Sequence, residues 1–156
     1  MTLMSRKADY ALLILSYLHQ HPRGGSAREV AARFRLSRAF VANILKDLCH
    51  RGFVTSHRGV KGGYVLQRPA EDVSLGELIE ALDDAFRLAE CNQVAPHEGC
   101  GLVDVCPVKG PIAAVHDRIR GFLQEVTLAE LFQPCPEPGC TQIDLSRCQQ
   151  SPAAVS

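Results

Sequence analysis

The 156-residue chain has no apolar run approaching the ~20 residues that a membrane-spanning helix needs. Its opening residues, Met1-Thr2-Leu3-Met4-Ser5-Arg6-Lys7, show no apolar stretch closed by a small-residue cleavage site. No secretory leader is therefore expected, and the protein is expected to stay in the cytoplasm, away from membranes. There is no internal repeat and no Cys-x2-Cys pair of the kind that marks a structural zinc ribbon. Paired carboxylates framing a cleft, a nucleophile beside a base and a phosphate-cradling glycine loop are also missing. The sequence thus offers no catalytic residue, and neither an enzyme nor a small-molecule substrate is expected.

Acidic residues are scarce in the first half. Residues 1–70 hold twelve Lys/Arg against three Asp/Glu, a net of +9, and residues 71–156 hold five against fourteen, a net of −9. The overall zero charge hides this division. A basic module beside an acidic one suits a partner that is a polyanion, although an unevenly charged solvated surface gives the same counts. Hydrophobic residues make up 46% of the chain, enough to build a core.

Residues 8–20 read as a helix, with Tyr10, Leu13, Ile14, Tyr17 and Leu18 at three- and four-residue steps. His21-Pro22-Arg23-Gly24-Gly25 breaks it. Ser26, with Glu29 three residues on, is a capping box for a second helix whose apolar positions are Val30, Ala31 and Phe34. After a turn at Arg35-Leu36, Ser37 caps a helix over 37–51 that turns Phe40, Val41, Ile44, Leu45 and Leu48 inward, and Gly52 ends it. Two short helices and a tight turn make a helix-turn-helix, a spacing that a plain three-helix core shares. The strand-like runs Phe53–Ser56 and Tyr64–Leu66 enclose His57-Arg58-Gly59-Val60-Lys61-Gly62-Gly63, a basic, glycine-rich tip. Such a ribbon is a wing, whose glycines let the backbone approach a sugar–phosphate surface while Arg58 and Lys61 supply charge. On the recognition helix, Ser37 can donate to a phosphate or base, Arg38 and Lys46 add charge, and Asn43 can pair with adenine if it faces outward. Ser74 caps a helix over 75–85. A long helix over 109–126 carries Ile112, Val115, Ile119, Phe122, Leu123 and Val126 on one stripe, for a twin in a dimer or for its own domain. Residues 127–132 add a turn, and the Pro-, Gln- and Ser-rich remainder reads as a mobile tail. The expected fold class is mainly α with a small β-wing: a winged helix-turn-helix in 1–70, a linker helix, cysteine loop and dimerisation helix in 71–132, and the tail in 133–156.

Six of the seven cysteines follow residue 90. Without a secretion signal such clustering points to metal or redox chemistry rather than disulfides. Cys91, Cys100 and Cys106 share one loop with Asn92, His97, Glu98, Gly99, Gly101 and Pro107, a polar setting unlike that of structural cysteines on apolar helix faces. Thiolates suit an iron–sulfur cluster, and zinc with His97 as a fourth ligand is equally compatible with the spacing. Cys49 is read as core and His116 as a packing or surface residue. Cys135, Cys140 and Cys148 are read as tail thiols, with a second metal site as the alternative.

The run Leu48 to Pro69 (LCHRGFVTSHRGVKGGYVLQRP), followed by Val73-Ser74-Leu75, strongly resembles the IscR/NsrR/RirA family of winged-helix regulators. The resemblance rests on the Ser-x-Arg-Gly-x-x-Gly-Gly-Tyr wing (Ser56, Arg58, Gly59, Gly62, Gly63, Tyr64), on Asp9-Tyr10-Ala11 in the opening helix, and on three cysteines before a long helix. It covers about residues 3–132. The stretch from Ala89 through Pro107, with Val126–Leu131, is similar to the branch that regulates SUF-system iron–sulfur assembly genes. The resemblance implies a homodimer on a pseudo-palindromic double-stranded DNA operator, with recognition helices in the major groove and wings in the minor groove. It also implies a 2Fe–2S or 4Fe–4S cluster on Cys91, Cys100 and Cys106 whose state alters DNA affinity. One departure is Lys109, where part of the family has a histidine three residues after the third cysteine. Another part takes its fourth ligand from an aspartate in the partner's first helix. Asp9 stands at that place, where an ordinary first-turn acid is the competing reading.

The resulting expectation is a regulator, acting as a repressor, that senses iron or iron–sulfur status. Alternatives are a nitric oxide or redox sensor of the same fold, a zinc-binding regulator, and an electron carrier or metal chaperone that does not bind DNA; the wing and the basic half oppose the last. If the wing reading is right, Arg58→Ala costs about 1–3 kcal/mol in operator binding. Operator affinity unchanged by that substitution across a salt series would remove the wing assignment.

Overall fold

In the computed structural model the chain starts its first helix two residues before the apolar periodicity begins. Ser5 is the reason: its hydroxyl oxygen accepts from the Ala8 N–H at 3.2 Å, capping α1 (Arg6–Gln20). The structure describes residues 4–57, 62–82, 88–89, 101–102 and 104–133. The wing tip with Arg58, Gly59 and Lys61, the thiols Cys91 and Cys100, and the tail with Cys135, Cys140 and Cys148 lie outside the described residues.

The buried stripe of α1 is Ala8, Ala11, Ile14, Leu15 and Leu18. Ile14 and Leu18 were expected there. Leu13 was expected there too, but it is exposed because it projects from the side opposite Leu15. The two buried alanines are small enough to let neighbouring backbones close in. Helix α2 (Ala27–Phe34) begins with the expected box: Ser26 accepts from the Glu29 N–H, and Glu29 accepts from the Ser26 N–H at 2.7 Å. The Ser26 N–H and, at 2.8 Å, the Ser26 hydroxyl both donate to the Glu29 carboxylate and hold it below the usual carboxylate range. The helix ends at Arg35 in the left-handed region (φ 55°), with the Leu36 N–H donating to the Ala31 carbonyl, which makes the turn tight. Helix α3 (Arg38–His50) buries Val41, Ile44, Leu45 and Leu48. Phe40 departs from expectation. It is 38% exposed, because it sits in the first turn, ahead of the buried positions, and meets Tyr10 edge-on with centroids 4.9 Å apart.

Strands β1 (Val54–His57) and β2 (Gly63–Leu66) pair antiparallel, with Val54 opposite Leu66 and His57 opposite Gly63. Phe53, expected in the first strand, instead lies just before it in the core. The ribbon gains a further bridge at the loop after α1. The Gly25 N–H donates to the Tyr64 carbonyl at 3.0 Å, and the Tyr64 N–H donates to the Gly25 carbonyl at 2.9 Å. Glycine is needed here for packing. A Cβ on Gly63 would lie 2.9 Å from the Gly25 carbonyl oxygen, and one on Gly25 would lie 2.6 Å from the Tyr17 ring.

A 3-10 turn (Ala70–Asp72) leads into α4 (Leu75–Leu82), capped as expected by Ser74, whose oxygen accepts from the Glu77 N–H. Helix α5 (Lys109–Glu125) follows, then α6 (Leu128–Phe132) with its own capping box at Thr127 and Glu130. Val126, expected on the stripe of α5, caps its end and is buried in the core. Backbone bonds from Leu75 to Val126 and from Leu128 to Val73, both 2.8 Å, tie the two ends of this unit together. Leu78, Leu82, Leu128 and Phe132 join the same core as α1 and α3, so that core extends past residue 70.

Helices α4 and α5 cross closely at Gly76, where a Cβ would stand 2.8 Å from the Gln124 side chain and 3.0 Å from its backbone nitrogen. Gly76→Ala should therefore force the helices apart and cost about 1–3 kcal/mol. Gly110→Ala, which points into open space on α5, should be neutral or stabilising by up to about 1 kcal/mol. Chemical denaturation of the two variants checks the contrast.

Candidate nucleic-acid interface and cysteine site

The exposed face of α3 is built by its own start signal and periodicity. With Val41, Ile44, Leu45 and Leu48 committed to the core, Arg38, Asn43 and Lys46 face outward, and all three are exposed. Ser37 stands at the tip. Its oxygen accepts from the Phe40 N–H at 3.2 Å, which leaves its own hydrogen to donate outward. One helix end and one helix face thus present hydroxyl, amide and cationic groups together, the set that contacts phosphates and base edges. The condition attached to Asn43, that it face outward, is met. Ser56 and His57, on the strand leading to the wing tip, are also exposed.

Two contacts that no sequence pattern announces join the first turn of α1 to α3. Lys7 Nζ lies 2.7 Å from Asp47 Oδ2, a pairing that holds the Asp47 carboxyl below the usual carboxylate range. Tyr10 packs edge-on against Phe40. The partners are about thirty to forty residues apart, beyond the reach of helical periodicity. Asp9, on the same turn of α1, is exposed.

Of the three loop thiols, Cys106 is described. It is half-buried, and its carbonyl accepts from the Lys109 N–H at 3.4 Å at the start of α5. The apolar residues around it are open: Leu102 is 64% exposed, Val105 76% and Val108 56%. None of the seventeen residues of α5 is buried, and Val115 is exposed. Cys49 differs. Burial pushes its thiol pKa up, and it packs against the core, which matches the structural reading and makes it a poor ligand. The side chain of His116 is mostly covered, and its Nδ1 lies 3.2 Å from Asp117 Oδ1. Among the described residues, no helix is long and apolar enough to cross a membrane.

Residues 4–134 match the model of the Rrf2 family, described as an iron-dependent transcriptional regulator. The chain belongs to the Rrf2 family. The HTH-type transcriptional regulator IscR of Escherichia coli (strain K12 / DH10B) is 31% identical over 130 residues, covering 82% of this chain and 78% of that protein. Protein aau3 of Rhizobium meliloti (strain 1021) is 28% identical over 135 residues, covering 86% and 87%. Among solved structures, CymR, the global cysteine regulator of B. subtilis, superposes with a TM-score of 0.67 at 27% identity, covering 85% of this chain and 97% of CymR. IscR of T. potens gives 0.62 at 26%, covering 81% and 83%. This Rrf2 protein is accordingly a winged-helix transcription regulator that acts by binding DNA, not an enzyme.

Ser37 both caps α3 and faces outward, and the two roles can be separated. Ser37→Ala should lose about 0.5–2 kcal/mol of stability. Ser37→Asp should keep the cap and the thermal midpoint yet weaken DNA binding, because it sets a carboxylate against phosphates. DNA affinity unaltered in the aspartate variant would remove Ser37 from the interface.

Proposed function

We propose that this Rrf2 protein is a homodimeric repressor whose affinity for a pseudo-palindromic operator is set by an iron–sulfur cluster, so that it reports iron or iron–sulfur status. The observation that carries this reading is an uncovered apolar series around Cys106. Leu102, Val105, Val108, Ile112, Val115, Ile119 and Phe122 follow one another at three- and four-residue steps, and none of them is buried. A run of that length, exposed at Leu102, Val105, Val108 and Val115 and half-buried at the other three, calls for a cover, and a second copy laid along α5 supplies one. In this reading residues 1–70 hold DNA through Ser37, Arg38, Asn43, Lys46 and the wing residues Arg58, Gly59 and Lys61. Residues 71–132 carry the cysteine loop and the dimer helix, and 133–156 form a tail.

Cys91, Cys100 and Cys106 would hold the cluster, with Asp9 of the partner subunit as the fourth ligand. Three soft thiolates with one carboxylate make a donor set that suits iron, and the exposed position of Asp9 leaves its oxygens available to a second copy. When bound, the cluster supplies a charge and redox state that follow iron supply and oxidant exposure. The remainder is mechanical. Asp9 lies on the turn of α1 that Lys7–Asp47 and Tyr10–Phe40 join to α3. Holding or releasing that turn moves the recognition helix, and a shift of an ångström or two spoils the match to half-sites about 34 Å apart. The fold is as close to the cysteine regulator CymR as to IscR, so fold alone does not choose the signal. The three-thiol loop, together with the family's description as iron-dependent, favours iron.

Anaerobically isolated protein should contain iron and sulfide. Cys91→Ala, Cys100→Ala and Cys106→Ala should each lose the chromophore, and truncation after Phe132 should keep it. Asp9→Ala should keep the dimer but shorten the lifetime of the cluster and weaken its effect on operator affinity. Stoichiometric zinc without iron would replace this reading with the zinc one.

A further inference from the structure

The outward face of α3 does not account for all the open polar surface at that end of the molecule. Between the first turn of α1 and the start of α3 lies a groove of about 500 Å³ lined by Arg6, Lys7, Tyr10, Leu36, Ser37 and Phe40. We propose that this groove seats a phosphate of the DNA backbone, with Arg6 as its cation. The proposal rests on the DNA-binding role of the fold and adds a contact outside the recognition helix and the wing.

The charge distribution points to Arg6. Lys7 spends its charge on Asp47 at 2.7 Å, whereas Arg6 is exposed and, among the described residues, forms no ion pair. Asp9, three residues along α1, is exposed but makes no ion pair with Arg6. The groove therefore keeps a positive charge. Its opposite wall supplies neutral donors. The Ser37 hydroxyl hydrogen is free because its oxygen, not its hydrogen, serves the cap. The first N–H groups of α3 open from the same end, where the helix dipole favours an anion. Tyr10 and Phe40, locked edge-to-face at 4.9 Å, set the width between the two walls, which also gives the exposed Phe40 a role.

Position selects the anion. The groove borders the end of α3 that carries Ser37 and Arg38, so a recognition helix entering the major groove by that end brings Arg6 toward the strand at the groove's edge. Phosphates lie along that edge whatever the base sequence, and contacts of this kind fix orientation rather than specificity. A fork-shaped guanidinium suits a phosphate better than an ammonium does, while either cation neutralises it.

The test uses the full chain with two duplexes of equal length, the operator and an unrelated sequence, each titrated over a salt series. Arg6→Gln should weaken binding to both by a similar factor and reduce the slope of log K against log salt by about 1. Arg6→Lys should restore most of the slope. The thermal midpoint should not move, because Arg6 is exposed. Affinity and slope equal to the wild type in Arg6→Gln would overturn the seat while leaving the regulator intact. A loss confined to the operator would also overturn it, because it would mean base readout. Wild-type protein that binds neither duplex would overturn both the seat and the DNA-binding role.

Discussion

Helix α1 has to satisfy three neighbours with one buried stripe. Ala8, Ala11, Ile14, Leu15 and Leu18 pack into a core shared with α3 and α4, and the loop leaving α1 pairs with the wing strand β2. Each fully buried leucine or isoleucine contributes roughly 1.5–3 kcal/mol, so the stripe is a substantial part of the stability of the DNA-binding unit. It also removes independence. The recognition helix, the wing and the helix leading toward the cysteine loop are all positioned against the same fifteen residues. A displacement of α1 is felt by each of them, because a close-packed core transmits shifts rather than absorbing them.

The wing is fixed from its base. Paired backbone bonds between Gly25 and Tyr64 attach β2 to the loop after α1, and a side chain at Gly25 or Gly63 would push them apart. Glycines that read as concessions to a DNA surface therefore include one, Gly63, whose close neighbour is the protein's own backbone at Gly25.

Helix α5 shows the opposite condition. Its contacts to α4 run through Gly76 at Gln124, through Arg120 and Glu80 at 2.7 Å, and through Ser74 and Gln124 at 2.9 Å. The Arg120 guanidinium holds the Glu80 carboxyl below the usual carboxylate range. These polar contacts fix the crossing without burying the helix. Its apolar residues remain available, and the same uncovered character extends back through Val108, Val105 and Leu102 to the segment holding Cys106. In the proposed dimer this is the surface that a second copy would cover, with Cys106 at its edge.

The sequence by itself determined the helix-turn-helix, the wing strands and the outward set Ser37, Arg38, Asn43 and Lys46. Each of these depends on signals a few residues apart: a cap, a helical or alternating period, a glycine stop. The capping box at Ser26 and Glu29, and the caps at Ser37 and Ser74, appear where local chemistry requires them. The core status of Cys49 was legible from its place on the helix. Long-range contacts were not legible. The pairing of Gly25 with Tyr64, of Lys7 with Asp47 and of Tyr10 with Phe40 depends on how the helices and the ribbon fold back on one another. The exposure of Leu13 and Phe40 follows from which side of each helix its neighbours cover. A periodic pattern says that a face will be buried. Only the tertiary structure decides what buries it, because that choice is made by packing between segments distant in the chain.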